Sequence, residues 1–209
     1  MSDLERDRQK AKRNHIQASR PGQLFGVDTF LIGVIKGIDR VYHFLAVDTY
    51  SRFAIASVYA AKTAEKARDF LINHLIPKAA HAGVQNLLLD NGTEFTAARW
   101  RDEQNTSNHP FEKLARSLGI GLKFTKPRHP WSNGACERLH QTLLYEFYIP
   151  AFCSKTYTNI EELNYDLQKY LQYYNYERPN QSYRLKGKTP AEKYHQPILN
   201  GHQSKILAV

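Results

Sequence analysis

The order of apolar runs along the chain constrains its fold more than any other feature. Three strand-like runs come first, at residues 24–34, 41–48 and 53–59, with only short turns between them. Short connections between β-rich runs favour an antiparallel meander. A helical period follows over residues 63–81, and the short apolar run 86–90 then suits a buried parallel strand. The order β-β-β-α-β predicts an α/β fold with a mixed sheet flanked by helices.

The second half of the chain adds one more strand and further helices. We expect a polar inserted loop, a short helix, a fifth strand, a helix after two prolines and a long last helix, at residues 96–109, 111–118, 120–124, 132–148 and 158–174. Thr158 or Asn159 is the predicted cap of the last helix, and the tail from Arg178 is predicted to be irregular. The chain then divides into a basic N-terminal arm, a catalytic core, and a C-terminal helix and tail of the same core, at residues 1–22, 23–150 and 151–209.

Net charge narrows the class of partner without deciding it. The formal charge is +9 and the isoelectric point is near 9.5. A basic surface attracts polyanions, of which nucleic acid is the commonest, although membrane surfaces and plain solubility also fit. The first twenty residues contain six basic and three acidic side chains, which fits a basic arm as well as a solvated terminus.

Cysteine usage and hydropathy indicate the compartment. The two cysteines, Cys136 and Cys153, form no CxxC motif, which argues against a disulfide framework and against a cysteine zinc site. The N-terminus lacks the apolar segment of a signal peptide, and no run reaches the roughly 18–20 apolar residues needed to span a bilayer. We therefore expect a soluble, cytoplasmic protein with free thiols.

Three carboxylates stand at unusual places. Asp28 lies inside a run typical of a core strand, Asp90 ends an apolar strand, and Glu137 falls in the first turns of a helix after a basic, proline-rich loop. Each has an ordinary explanation: a hydrogen-bonded strand residue, an Asp-Asn-Gly turn, and a complement to the helix dipole. Together they fit phosphodiester transfer, which uses clustered carboxylates to hold Mg²⁺ because this hard ion prefers oxygen ligands.

Several motifs, in order along the chain, resemble those of one family. The DNGTEF motif at 90–95 resembles the second-aspartate motif of retroviral-type integrases and bacterial insertion-sequence transposases, and PRHPWSNGACER at 127–138 resembles their glutamate motif. DTYSR at 48–52 resembles their second-strand motif. YNYERPN at 174–180 and GKTPAEK at 187–193 are similar to the C-terminal end of the integrase core in those transposases.

The resemblance implies an RNase H-like fold and a three-acid site for two Mg²⁺ or Mn²⁺ ions. Carried over by position, the catalytic and metal-binding acids are Asp28, Asp90 and Glu137. The resemblance also implies a bacterial-type, nucleoid-associated transposase or integrase that works as a homo-oligomer on transposon ends and target DNA. Such an enzyme nicks DNA, and the freed 3′-hydroxyl then attacks a target phosphodiester.

Two features depart from the family's pattern. Forty-six residues lie between Asp90 and Glu137, more than the family usually has, and the polar stretch 96–109 accounts for the surplus as a loop insertion. Residues 1–22 are too short for the helix-turn-helix region with which such transposases recognise transposon ends. A separate helix-turn-helix subunit is one source of that recognition.

Basic and polar residues around the glutamate motif are the candidates for DNA contact. They are Lys126, Arg128, His129, Asn133, Arg138 and Gln141. The first three precede the helix and are predicted to contact phosphates, with a solvated loop as the alternative. Arg138 and Gln141 lie on the same helix as Glu137, where residues three and four apart share a face.

Four other features receive a mainly structural interpretation. Asp48 is a rival carboxylate that we expect to be structural and paired with Arg52, and Glu94 is expected to border the site without binding metal. His140, three residues from Glu137, is expected to orient a neighbour or to face DNA. A tyrosine cluster is expected to pack in a helix interface rather than stack on bases: Tyr170, Tyr173, Tyr174 and Tyr176.

Two alternatives to a strand-transfer enzyme stay open at this point. A catalytically decayed DNA-binding relic or assembly factor would also be basic and folded, but it would not bind Mn²⁺. An RNase H-like nuclease would cleave DNA and never join strands. Products longer than the donor strand distinguish a transferase from a nuclease.

Overall fold

A five-stranded mixed sheet organises the molecule, as the element order predicts. The computed structural model describes residues 18–35, 39–97, 108–125 and 134–197. The strands are β1 (Phe25–Ile35), β2 (Asp39–Asp48), β3 (Ala54–Tyr59), β4 (Asn86–Leu89) and β5 (Gly121–Phe124). Their order across the sheet is β3-β2-β1-β4-β5. The first three strands pair antiparallel, whereas β4 pairs parallel to both β1 and β5.

Helices cover both faces of the sheet. They are α1 (Ala64–Asp69, Phe70–Leu75 and Ile76–Lys78), α2 (Pro110–Ser117), α3 (Gly134–Leu143, Leu144–Tyr148 and Ile149–Ser154), α4 (Ile160–Tyr176) and α5 (Pro190–Tyr194). Thr63 caps α1 by accepting the backbone N–H of Lys66, and Asn159 caps α4 by accepting that of Glu162. None of the described helices is long and apolar enough to cross a membrane.

The middle segments of α1 and α3 are π-helical, and a proline explains each of them. Pro77 and Pro150 lie in the α-helical turns that follow. A proline donates no backbone hydrogen bond and its ring collides with the carbonyl four residues earlier. Widening the preceding turn lets the helix continue past the proline.

The tail contains an element that the sequence analysis missed. Residues 190–194 were expected to be irregular, but they form α5, which begins at a capping box made by Thr189 and Glu192. Tyr194 is fully buried in this helix, and its hydroxyl donates to the backbone carbonyl of Ala79 at 3.1 Å. The signal was the Thr-x-x-Glu spacing around Pro190.

Each face of the sheet has its own hydrophobic core. Alternate residues of β2 point to opposite faces, so that Phe44 and Ala46 join one core while Leu45 and Val47 join the other. The first core includes side chains of α1, α2 and α5. The second includes side chains of α3 and α4. Asp28 pairs with Leu45 across the β1–β2 ladder and lies on the side of the second core.

Candidate active site

The pairing of β1 with β4 places two of the predicted acids side by side. The two strands run parallel, with Gly26 opposite Leu88. Continued by two residues, this register sets Asp28 beside Asp90, which directly follows the last residue of β4. Both residues are half-buried at this edge of the strands.

The pKa of Asp90 reflects its proximity to Asp28. Burial is the main cause that raises the pKa of Asp90, and the negative charge of Asp28 is the second. The backbone N–H of Gly92 donates to Oδ1 of Asp90 at 3.0 Å, which opposes this rise in pKa. Two carboxylates that repel each other in a half-buried site favour a bound cation, because its charge compensates for the repulsion.

The third predicted acid lies on a different element. Glu137 is exposed in the first turns of α3. Within the described ranges, no group of three or more His, Cys, Asp or Glu side chains is close enough to hold a metal ion. The structure therefore brings Asp28 and Asp90 together and leaves Glu137 apart from them.

The donor chemistry of this pair fits a hard divalent cation. Mg²⁺ keeps several of its waters and is commonly bound by only one or two carboxylates of the protein. Asp28, inside β1, and Asp90, directly after β4, supply two such carboxylates from adjacent parallel strands.

A chain of polar contacts connects Asp28 to the interior. His140 of α3 lies 3.1 Å from Oδ2 of Asp28 through its Nε2 atom. Its Nδ1 atom lies 2.6 Å from Nε2 of His43, which stacks on the His140 ring. The other ring nitrogen of His43 lies 3.1 Å from the hydroxyl of Tyr148. This series of contacts holds the Asp28 carboxylate on the side of α3. The geometry therefore agrees with the expectation that His140 orients a neighbouring residue.

Sequence reasoning missed His43 and Tyr148. His43 is buried in the middle of β2. A polar residue inside an otherwise apolar strand was the same signal that singled out Asp28, and it was available for His43 as well. Tyr148 gave no such signal because a tyrosine in an amphipathic helix is ordinary.

Glu94 forms a second polar cluster next to Asp90. Its side chain is fully buried and pairs with Lys62 at 3.0 Å and with the hydroxyl of Thr29 at 2.5 Å. Its Oε2 atom is buried and has no hydrogen-bond partner among the residues that the structure describes. A Cβ atom on Gly92 would lie 2.6 Å from this carboxylate, so glycine allows the loop to close over Glu94. Its negative charge also contributes to the raised pKa of Asp90.

Asp48 is structural, as expected, but its partners differ from the expected one. Its buried carboxylate accepts the backbone N–H groups of Gly22 and Ser51 at 3.0 and 2.7 Å, and the hydroxyl of Ser51 at 2.6 Å. The predicted pairing with the guanidinium of Arg52 is wrong. The contact between the two residues is made by the backbone instead, where the N–H of Arg52 donates to the carbonyl of Asp48 at 2.8 Å.

The predicted DNA-contacting residues divide into two groups. Lys126, Arg128, His129 and Asn133 lie outside the described residues, as does most of the predicted insertion at 96–109. Arg138 and Gln141 are exposed on α3. The tyrosine cluster is also divided: Tyr174 is buried and Tyr170 packs against the second core, whereas Tyr173 and Tyr176 are about half exposed.

The chain matches two models of one protein family. One model, described as an integrase core domain, matches residues 18–130. A second model with the same description matches residues 118–190. No curated protein sequence is similar enough to the chain to count as a match.

Solved structures with a similar fold include integrase catalytic cores and a viral intasome. The catalytic core of BIV integrase is 25% identical, with a TM-score of 0.59 over 83% of this chain and 93% of that one. The HTLV-2 integrase catalytic core, solved with magnesium, is 17% identical, with a TM-score of 0.61 over 86% of this chain and all of that one. A chain of the simian T-cell lymphotropic virus intasome is 20% identical, with a TM-score of 0.68 over 90% of this chain. The present chain spans only 59% of that viral chain.

Proposed function

Because the chain belongs to the integrase core domain family, we propose that it is a metal-dependent enzyme of DNA integration, a transposase or integrase. It cleaves a phosphodiester bond and transfers the freed strand end to target DNA. The observation that supports this most is the adjacent placement of Asp28 and Asp90 on neighbouring parallel strands. An RNase H-like sheet with this pair of acids suits phosphodiester chemistry.

Asp28 and Asp90 would hold a divalent cation, with Glu137 as the third ligand from α3. When bound, Mg²⁺ or Mn²⁺ supplies activation of the attacking oxygen and neutralises charge on the leaving oxygen, most effectively as a pair of ions. The HTLV-2 integrase core was solved in complex with magnesium. Glu137 lies in the first turns of α3, next to the residues for which no geometry is described. With Glu137 close to Asp28 and Asp90, the predicted three-acid site would be complete.

The chain's own residues position the acids. His140 holds the Asp28 carboxylate from the side of the sheet where α3 packs. Because His43 holds the other ring nitrogen of His140, the imidazole has one orientation. Fixed ligands bind metal with less loss of conformational entropy than mobile ones.

DNA would approach along α3. Arg138 and Gln141 are exposed there, and Lys126, Arg128, His129 and Asn133 precede them in the sequence. The formal charge of +9 favours association with phosphate backbones. In this proposal three parts of the chain act together: the basic arm 1–22, the core 23–150 and the part 151–209.

We also propose that the protein works as a homo-oligomer. The HTLV-2 integrase core occurs in dimeric and trimeric forms, and the similar simian viral chain is part of an intasome. A separate helix-turn-helix subunit would supply recognition of the transposon ends.

A strand-transfer assay tests the proposed function. Labelled oligonucleotide ends and target DNA are incubated with the wild type, with Asp90→Asn and with Asp39→Asn, in Mn²⁺ or Mg²⁺. Asp39 is an exposed aspartate in a left-handed turn that asparagine also adopts, so its variant is the matched control. We expect metal-dependent joined products with the wild type and the control, and a loss of at least about a hundredfold with Asp90→Asn.

The other outcomes identify the alternatives. DNA binding without cleavage or joining, in the presence of metal, would indicate a relic or an assembly factor. Cleavage without joined products would indicate a nuclease. Full joining activity in Asp90→Asn would show that the site assignment is wrong.

A further inference from the structure

A basic cavity lies beside α3, on a different side of the helix from the acids. Its volume is about 310 Å³, which is roughly that of ten water molecules. The lining residues come from β2, α3 and the end of α4 with the segment after it: Val47, Arg52, Ala135, Arg138, Leu139, Thr142, Tyr174, Arg178, Asn180, Gln181 and Ser182. Three are arginines, and none of these lining residues is acidic.

Among the described residues, two of the three arginines have no counter-charge. Arg178 donates two hydrogen bonds to the carboxylate of Glu146. The guanidinium groups of Arg52 and Arg138 make no ion pair and no hydrogen bond with the residues that the structure describes. Burial, and then the positive charges of Arg184 and Arg138, lower the pKa of Arg52. The cavity therefore concentrates positive charge that the described part of the chain does not neutralise.

The backbone at Arg52 is held in an unfavourable conformation. Its φ of 67° lies in the left-handed region, which glycine and asparagine adopt more readily than arginine. Among the described residues, no hydrogen bond or ion pair of the Arg52 side chain offsets this cost. Strained residues of this kind cluster at functional sites, where the side chain is needed for a ligand.

A buried hydroxyl in the same cavity also lacks a partner. Oγ of Ser182 is buried without a hydrogen bond within the described structure, although a hydroxyl normally has one. It lines the cavity together with the side chains of Arg52 and Arg138. Two guanidinium groups and a hydroxyl donor are the groups that bind a phosphate.

We infer that this cavity binds a phosphodiester group of a nucleic-acid strand, with Arg52 and Arg138 as the charged contacts. The inference rests on the proposed function, since a strand bound at the acids is what brings a neighbouring phosphate to α3. On α3, Arg138 and Thr142 line the cavity, whereas His140 faces Asp28. A nucleic-acid strand bound at both sites would therefore follow the surface of α3 from the acids to the cavity. Arg52 reaches the cavity from the turn after β2.

Fluorescence anisotropy with a labelled oligonucleotide of mixed sequence tests this inference. The measurement is made in EDTA, so that binding does not depend on a metal at Asp28 and Asp90. The test variant is Arg52→Asn, which removes the charge and retains a residue that tolerates the left-handed backbone. Arg68→Asn is the matched control, because Arg68 is exposed on α1, across the sheet from the cavity, and loses the same charge.

For Arg52→Asn we expect DNA affinity to fall about tenfold at low salt. The slope of log Kd against log salt should decrease by about 0.9, the value for one lost phosphate contact on duplex DNA. Arg138→Gln should behave similarly, Arg52→Lys should recover most of the affinity, and Arg68→Asn should retain the wild-type slope. The melting temperature of Arg52→Asn should equal or exceed that of the wild type, which separates lost binding from lost folding.

Wild-type affinity and slope in Arg52→Asn would overturn the inference. A cavity that binds only small anions would also overturn it. In that case inorganic phosphate would stabilise the wild type, while the slope of log Kd for DNA against log salt would be the same in Arg52→Asn as in the wild type. Failure of the proposed function is distinguishable, since it appears as absent joining in Mn²⁺ while the effect of Arg52 on DNA binding in EDTA persists.

Discussion

At the scale of single residues, the site depends on polar groups that the fold buries near one another. Asp28 accepts a contact from His140, His140 contacts His43, and His43 contacts Tyr148. Each member satisfies the hydrogen-bonding capacity of the next, which a buried polar group requires. The same geometry raises the pKa of Asp90 and lowers that of His43.

Asp90→Asn should raise the stability of the metal-free protein at neutral pH. The folded-state pKa of Asp90 is raised by burial and by Asp28, so the ionised carboxylate costs stability once the pH exceeds its unfolded value. Asparagine removes that cost and keeps an acceptor for the N–H of Gly92. Urea denaturation in EDTA at pH 7 measures the change, with Asp39→Asn as the control.

The same variant should lose stabilisation by metal. A ligand present at a hundred times its Kd adds about 2.7 kcal/mol to the stability of a protein that binds it only when folded. Mn²⁺ should therefore raise the melting temperature of the wild type and leave that of Asp90→Asn nearly unchanged. Equal shifts in both proteins would place the metal elsewhere.

His43 should make the protein sensitive to acid. Burial, and then the charge of His140, hold the pKa of His43 well below its usual value, so the folded state keeps the imidazole neutral between His140 and Tyr148. The unfolded chain takes up a proton below about pH 6.5, so this contribution to stability is complete above that pH and is lost as the pH falls.

Denaturation curves at pH 7 and pH 5 measure the effect. The wild type should lose up to about 1.4 kcal/mol per pH unit more than His43→Gln, which keeps polar atoms near His140 and Tyr148 but does not titrate. Parallel losses in the two proteins would contradict the assignment of His43 as a neutral, buried histidine.

At the scale of elements, α4 protects the open edge of the sheet. β3 is an edge strand, and the polar groups on its free side are bonded by side chains of α4. The side-chain amide of Asn175 accepts the backbone N–H of Ala54 and donates to its C=O, at 2.8 Å each. Asn164 does the same for Val58. These side chains occupy the positions at which another strand would otherwise pair.

Asn175→Ala should therefore destabilise the protein by about 2–5 kcal/mol, because it leaves two buried backbone groups of Ala54 without partners. The control is Gln172→Ala, an exposed position of the same helix. Chemical denaturation measures the difference, and light scattering at moderate temperature should show more aggregation for Asn175→Ala. Equal stability of the two variants would mean that water replaces the lost bonds.

At the scale of the whole molecule, α5 near the C-terminal end packs into the core formed by the first strands and α1. Tyr194 of α5 stacks on Phe53 with ring centroids 4.6 Å apart and bonds the carbonyl of Ala79 after α1. Gly22, just before β1, accepts the N–H of Gln85 and donates to Asp48. Segments far apart in sequence thus fix the position of the sheet that presents Asp28 and Asp90.

Tyr194→Ala should reduce stability by about 3–5 kcal/mol, the usual cost of removing a large buried aromatic side chain. Tyr183→Ala, at a tyrosine with 72% of its surface exposed, should change stability by less than about 0.5 kcal/mol. Urea denaturation of both variants checks the prediction. A small effect at Tyr194 would mean that the tail is dispensable for the core.

The sequence by itself determined the strands and most helices, and it singled out Asp28 and Asp90, which the fold places side by side. Strand and helix periodicity are local properties, so the three strands of the meander and the parallel strand after α1 are as predicted, and Asn159 is the one of the two candidate caps that the structure uses. Asp28 was identifiable because a charge in an apolar strand is costly without a partner. The short helix α5 was missed because proline and lysine outweighed its capping signal.

Only the tertiary structure decided which of these residues meet. The register of β1 against β4 puts Asp28 beside Asp90, and the packing of α3 on β2 brings His140 to His43 across 97 positions of the chain. The cavity of Arg52, Arg138 and Arg178 likewise combines three separate segments. Such contacts depend on strand pairing and helix packing over long sequence separations, about which local periodicity contains no information.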